Sequence, residues 1–185
     1  MVARVLLVTV TVGLLAGCAG KDDEAPASSK TTPVPTLEGA TTGPAVWKGA
    51  STEVELLTAL RAAPHSAYDR LVFEFRDGLP GYDIRYIEPP LRADGSGDTV
   101  AVAGGAVLSV RMEPALDADL TQESAPRTYT GPTRFSPDTA AIVEVVRAGG
   151  FEAVLTWAVG VEGEQPFVVT RLQDPPRLVV DVSTT

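Results

Sequence analysis

Hydrophobic and polar positions alternate along much of this chain. In "RLVFEFR", Leu71, Phe73 and Phe75 fall on one side, and Val72, Glu74 and Arg76 on the other. A period of two is the mark of a strand with one face buried. "YDIRYI", starting at Tyr82, alternates less cleanly but is rich in the β-branched and aromatic residues that strands favour. The "GLPG" between the two runs has turn chemistry, so a hairpin is expected there. "TVAVAGGAVLSVRM" reads as two strand pieces around Gly104 and Gly105, and "AAIVEVVRAGGFEAVLTWAVGV" as two more around Gly149 and Gly150. In the second of these, Leu155, Trp157 and Val159 share a face, which makes Trp157 a core residue. "QPFVVTRL" and "RLVVDV" follow. In the last, Leu178, Val180 and Val182 share one face, and Val179 and Asp181 the other.

One stretch is ambiguous. In "STEVELLTALRAAPH", Thr52 and Glu55 have capping-box spacing, and Val54, Leu57 and Leu60 have helical spacing. Val54, Leu56 and Leu60 also fit a strand, and local pattern alone leans to helix. Elsewhere the regular strands and glycine turns predict an antiparallel β-sandwich or an open barrel. The intervening helices that a parallel α/β sheet needs are not evident.

The first fifty residues follow other rules. "MVARVLLVTVTVGLLAGCAG" has Arg4 as its only charge before a short apolar run, Val5 to Leu15. That run suits a signal peptide better than a bilayer span. Leu15-Ala16-Gly17-Cys18 resembles the lipobox of bacterial lipoproteins, which implies cleavage before Cys18 and attachment of lipid to its thiol. The plainer alternative is an ordinary signal peptide, or an uncleaved anchor, with an incidental cysteine. Acyl chains would hold the protein on a membrane at about 0.8 kcal/mol per buried methylene. From there to about Ala50 the chain is rich in Ala, Ser, Thr, Pro and Gly without apolar period, the composition of a disordered linker spanning roughly 30 Å. The expected organisation is a leader over 1–17, lipidated Cys18 with a flexible linker over 18–50, and a folded domain over 51–185.

A phrase recurs in the folded part. "YIEPPL" and "LQDPPRL" each take a strand-like run into an acid and two prolines. Proline lacks a donor and fixes φ, so Pro89-Pro90 and Pro175-Pro176 are expected to end ladder pairing and mark a strand leaving its sheet. The longer stretches "YDRLVFEFRDGLPGYDIRYIEPPL" and "FEAVLTWAVGVEGEQPFVVTRLQDPPRL" read as a weak internal repeat of strand, Gly/Pro turn, strand and double proline.

"HSAYDRLVFEF", "PGYDIRYIEPPL", "GFEAVLTWAVGV" and "PFVVTRLQDPPRLVVDV" together resemble the AMIN-like domain of actinobacterial secreted proteins and lipoproteins, over roughly Glu53 to Ser183. The resemblance implies an all-β antiparallel sandwich, with a strand instead of a helix at "VELLTALRAAPH". Classical AMIN domains position cell-wall amidases and secretin components, with peptidoglycan as a suspected target. This chain carries neither an amidase nor a secretin domain, so placing a fused enzyme is not its expected role.

Charge and chemistry narrow the functional classes. The net charge of −9 disfavours nucleic acid and basic docking on anionic lipid. A single cysteine excludes an intramolecular disulfide and a cysteine-built zinc site. The only histidine, His65, sits beside Pro64 in an expected turn, and no nucleophile elbow, His-Glu-x-x-His motif or phosphate loop is present. A carboxylate pair such as Glu74 with Asp181 is the one glycosidase-like option. "RADGSGDTV" has too few oxygen ligands for a calcium loop and reads as a polar hairpin loop. Arg177 and Asp181 are expected to pair on an exposed face, at little gain in stability. No cofactor is expected. For ligand binding, Arg85, Tyr86 and Arg171 lie on or beside the strands that precede the double prolines, and aromatic faces with polar forks hold sugars and peptides. Trp47 belongs to the linker and is expected to cover the domain's edge. The expected role is a lipid-anchored, non-catalytic module on the extracytoplasmic face of the cell membrane that binds peptidoglycan-type wall material. The alternatives are an accessory lipoprotein binding an envelope protein by strand addition, or an apolar-ligand carrier with a large internal cavity.

Overall fold

The alternation around Leu71 becomes a strand whose inner positions are sealed: Leu71 and Phe73 are fully buried and Phe75 nearly so. The computed structural model describes residues 37–185; the leader and Cys18 lie outside the described residues. The strands are β1 (Ala45–Trp47), β2 (Glu55–Pro64), β3 (Tyr68–Phe75), β4 (Gly81–Ile87), β5 (Leu91–Arg92), β6 (Thr99–Val100), β7 (Ala106–Glu113), β8 (Ala115–Leu116), β9 (Arg134–Phe135), β10 (Ile142–Phe151), β11 (Val154–Val161), β12 (Phe167–Leu172) and β13 (Arg177–Ser183). They form a six-stranded sheet in the order β1-β4-β7-β11-β10-β9, a five-stranded sheet in the order β12-β13-β3-β2-β8, and a β5-β6 ribbon. Pairing is antiparallel except between β2 and β8. The all-β expectation holds, and the ambiguous stretch is strand β2. Its helical spacing yields to pairing with β3 from Leu57 to Pro64, which satisfies its backbone groups in the sheet.

The two sheets meet over one core. Leu57, Phe73 and Phe75 from the five-stranded sheet face Ile84, Leu108, Met112 and Leu155 from the other. Trp157 sits among them, fully buried, with the rings of Phe73 and Tyr129 edge-on at 6.4 and 5.6 Å. Edge-to-face packing suits the aromatic quadrupole and adds about 0.5–1.5 kcal/mol per pair beyond burial.

Connectivity departs from the local reading in several places. β3 and β4 are not a hairpin: "GLPG" carries the chain from one sheet to the other. The connection from β11 to β12 makes the reverse crossing, so the two repeated stretches share a sheet-to-sheet crossover. Their proline endings differ. After Pro90 the chain does leave its sheet, for the β5-β6 ribbon. After Pro176 it turns back as β13, hydrogen-bonded to β12 in the same sheet. Thr99–Val100 pairs with β5 and not across Gly104 with β7. Gly149 and Gly150 lie inside β10, beside a register shift, and the turn into β11 is made by Glu152 and Ala153 at φ +51° and +60°. "RADGSGDTV" is the polar tip of the ribbon, closed by the Ala93 amide donating to the Asp98 carbonyl at 2.8 Å.

The fold also begins upstream of Ser51. Thr41 exchanges two backbone hydrogen bonds with Phe167 on the edge of the five-stranded sheet, at 3.0 and 2.9 Å. The chain then crosses to pair Ala45–Trp47 with β4 on the edge of the other. Residues 41–47 thus close one side of the sandwich, and Trp47 belongs to β1 and not to a linker. Low complexity hid this segment; three residues of pairing are too few to register as a period.

Candidate functional site

Along β4 and β7 the outward positions change character from one end to the other. The register sets Ile87 against Val107, Arg85 against Ser109, Asp83 against Arg111 and Gly81 against Glu113. At the first end, Val107, Ala148 and Ala158 form a small outer cluster, covered by Ile87 and by Leu91 and Val102 of the 88–105 segment. Gly160 makes this cover close: a Cβ there would run into the Ala103 carbonyl. Glu144 fastens it, accepting from the Ala103 amide at 2.9 Å and from Arg134 at 2.7 Å, while Arg134 also donates to the Ala101 carbonyl. Burial works against the Glu144 carboxylate, but the amide and the guanidinium outweigh it and hold its pKa below the usual carboxylate range.

The other end is open. Val46 on β1 stands opposite Asp83, which stands opposite Arg111, so three strands lay one row across the sheet. With Lys48, Gly81 and Glu113 this row lines a cleft of about 440 Å³, bordered by Trp47, Tyr82 and Pro114. Glycines hold its end wall. A Cβ on Gly81 would stand 2.6 Å from the Lys48 carbonyl oxygen, and one on Gly49 2.6 Å from the Gly81 nitrogen. Gly49 also has φ +76°, a conformation that side chains with Cβ resist. Close backbone approach therefore fixes Lys48 at the mouth.

The cleft is rich in accessible charge. Arg111 donates to Glu113 at 2.7 Å, with side chains 45% and 53% exposed. Arg85 forks onto Asp83 at 2.7 and 2.5 Å. The Arg111–Glu113 pair is a single exposed bond that an incoming charged group displaces at little cost, whereas the Arg85 fork engages both oxygens of Asp83. Among the described residues Lys48 makes no ion pair. Val46, 58% exposed, adds an apolar spot.

The three residues singled out for binding are not brought together. Arg85 and Tyr86 are neighbours on β4 and face opposite sides of it. Arg85 reaches the cleft only through Asp83. Tyr86 points between the sheets, edge-on to Phe167 at 5.9 Å; its hydroxyl donates to the Gln165 carbonyl at 2.7 Å and accepts from the Gln165 amide at 3.0 Å. Burial pushes its phenol pKa up. Arg171 lies on β12, stacked on Trp47 at 4.2 Å, and so backs the cleft without lining it. Lys48, Asp83, Arg111 and Glu113 escaped the sequence reading. The one usable signal was a tryptophan in low-complexity sequence.

The remaining polar clusters are structural. Asp181 is forked by Arg70 at 2.7 and 2.8 Å, not by Arg177, and Glu74 is held by Arg61 at 2.6 Å, so both carboxylates of the glycosidase-like option are engaged. His65 stacks on Tyr68 at 4.6 Å in the β2–β3 turn. The loop after β8 is pinned by Asp117, which accepts from Arg147 at 2.6 and 3.0 Å. Asp119 accepts from Thr121, Gln122 and Arg76, and these donors hold its pKa far below the usual range. Asp69, fully buried, accepts the amides of Ala141 and Ile142 and ties the sheets together. Among the described residues no three His, Cys, Asp or Glu side chains gather as a metal site.

The model of the AMIN-like domain matches residues 55–184, and the chain belongs to that family. The family is one of non-catalytic binding domains, and membership associates the chain with the extracytoplasmic cell envelope and its wall. No curated protein and no solved structure matches the chain. β1 and Lys48 lie upstream of the matched segment, so one wall of the cleft comes from residues outside the family domain.

Proposed function

We propose that this chain is a membrane-anchored, non-catalytic cell-envelope lipoprotein whose AMIN-like domain binds peptidoglycan-type wall material in the open cleft. The observation that carries the reading is the contrast on one sheet face. Where 88–105 covers it the outward residues are apolar, and where it is bare they are charged and flank an aromatic edge. An uncovered concave patch with convergent polar groups is the form a recognition site takes. Arg171 and Arg85 support the walls through Trp47 and Asp83, and Tyr86 pins the Gln165 turn. Lipid on Cys18 after removal of 1–17 supplies the anchor.

Sedimentation with purified sacculi tests the reading. The full chain in detergent is expected to co-sediment saturably, and Arg111→Ala and Trp47→Ala to weaken it. Absence of retention across salt and pH would remove the proposal. For the anchor, Cys18→Ser is expected to move the protein from the membrane fraction to the aqueous one; unchanged membrane association would reject lipidation at that thiol.

A second reading, an accessory lipoprotein binding an envelope protein, has one feature in its favour. Beyond the Thr41–Phe167 bridge, no strand among the described residues pairs with the outer edge of β12, the geometry strand addition uses. An apolar-ligand carrier is disfavoured by the filled interior around Trp157.

A further inference from the structure

Within the proposed wall-binding function, on which this inference rests, we infer that the cleft takes the peptide portion of the wall polymer and not its glycan. The part recognised is a zwitterionic segment presenting a carboxylate and an ammonium group. Lys48 and Arg111 receive the carboxylate; Glu113 receives the ammonium.

Three observations carry this. First, the aromatic rings beside the cleft are turned inward, Trp47 and Tyr82 packing against the core. Arg171 covers one face of Trp47 at 4.2 Å, and Tyr82 packs against the same ring at 5.9 Å. Sugars bind proteins by laying a ring on an open aromatic face, and this edge leaves no broad one. Second, the groups that remain available are charges of both signs. Lys48 has no ion-pair partner among the described residues, and Arg111 spends a single donor on Glu113, leaving a fork free for a carboxylate. Among the described residues the second oxygen of Glu113 receives no hydrogen bond and is open to an ammonium. Asp83 is less accessible to a ligand, because Arg85 occupies both of its oxygens. Glycan strands carry mainly hydroxyl and acetamide groups; wall peptides carry carboxylates and amines. Third, Lys48 stands where it does because Gly49 and Gly81 allow the two backbones to touch. The backbone that carries Lys48 is held by the fold at the cleft, so its side chain is tethered beside Arg111 and Glu113. Lys48 precedes the family-matched segment while Arg111 and Glu113 lie within it, so the proposed site joins the upstream strand to the family domain.

The test uses the full chain in detergent with three probes: intact sacculi, peptide-free glycan strands, and soluble peptides released from the same sacculi by amidase digestion. Binding to sacculi and to the peptides is expected, with none to the glycan strands. Lys48→Ala and Glu113→Gln are each expected to weaken peptide binding about tenfold, with circular dichroism unchanged, and amidating the peptide carboxylates is expected to mimic the loss at Lys48. Binding to sacculi and glycan strands but not to peptides would overturn the inference and leave the wall-binding function intact. Peptide binding indifferent to both variants would also overturn it, by placing the peptide elsewhere. Binding to none of the three would remove the function and the inference together.

Discussion

The outer face of the six-stranded sheet is one surface with two fates. Near Val107 and Ala158 it is roofed by the 88–105 segment and behaves as a second small core. Near Asp83 and Arg111 it is bare and charged. The strands are the same, β4 and β7, and only the outward residues differ. An apolar outward row is stable only under a roof, since its burial contributes about 25 cal/mol per Å². A charged outward row needs water or a ligand, because desolvation without a partner costs more than any cover returns. Function is thus placed by where the roof stops.

The largest effect should come from putting a charge under the roof. Val107→Asp is expected to destabilise by about 3 kcal/mol or more, since the carboxylate would be buried without a partner. Ser109→Asp, further along the same strand, should cost roughly 0.5 kcal/mol or less. Urea unfolding of the two variants would compare them directly, and equal losses would mean that the roof does not seal. Next, Gly81→Ala brings a Cβ against the Lys48 carbonyl. We expect about 1–3 kcal/mol of lost stability together with lost retention on sacculi, because β1 must shift. Full retention in that variant would separate the cleft from binding.

Smaller effects sharpen the contrast. Arg171→Ala removes the cation stacked on Trp47 and should cost about 0.5–1 kcal/mol, read as a modest drop in melting temperature with sacculus binding reduced and not abolished. Acid should loosen the roofed end first. Glu144 titrates below its unfolded-state value, so its contribution is complete above the ordinary range near pH ~4.3. It fades as the pH falls through the folded value. The protection factor of the Ala103 amide, its exchange rate corrected for the intrinsic pH dependence, is expected to fall as the pH drops below the ordinary carboxylate range, before the β1–β4 pairing loosens; the reverse order would show that Glu144 is not the fastener. Smallest of all, Arg85→Ala should leave the melting temperature essentially unchanged, its ion pair with Asp83 being exposed to solvent.

Much of the strand content was legible in the sequence. The alternation in "RLVFEF" identified sealed positions because a period of two records burial on one side. Trp157 could be assigned to the core for the same reason, and the spread of motifs from His65 to Val182 carried the family. In "RLVVDV", by contrast, both faces are buried, Val179 and Asp181 included, and the expected exposed face does not exist. Tertiary structure alone decided which sheet each strand joins. "GLPG" is as good for a crossover as for a hairpin, and nothing local distinguishes the two. Asp-Pro-Pro and Glu-Pro-Pro likewise end pairing without saying where the chain goes next. The cleft was decided at the same level. Val46, Asp83 and Arg111 become neighbours only because β1, β4 and β7 pair side by side, and backbone hydrogen bonds between distant segments leave no periodic trace in any one of them.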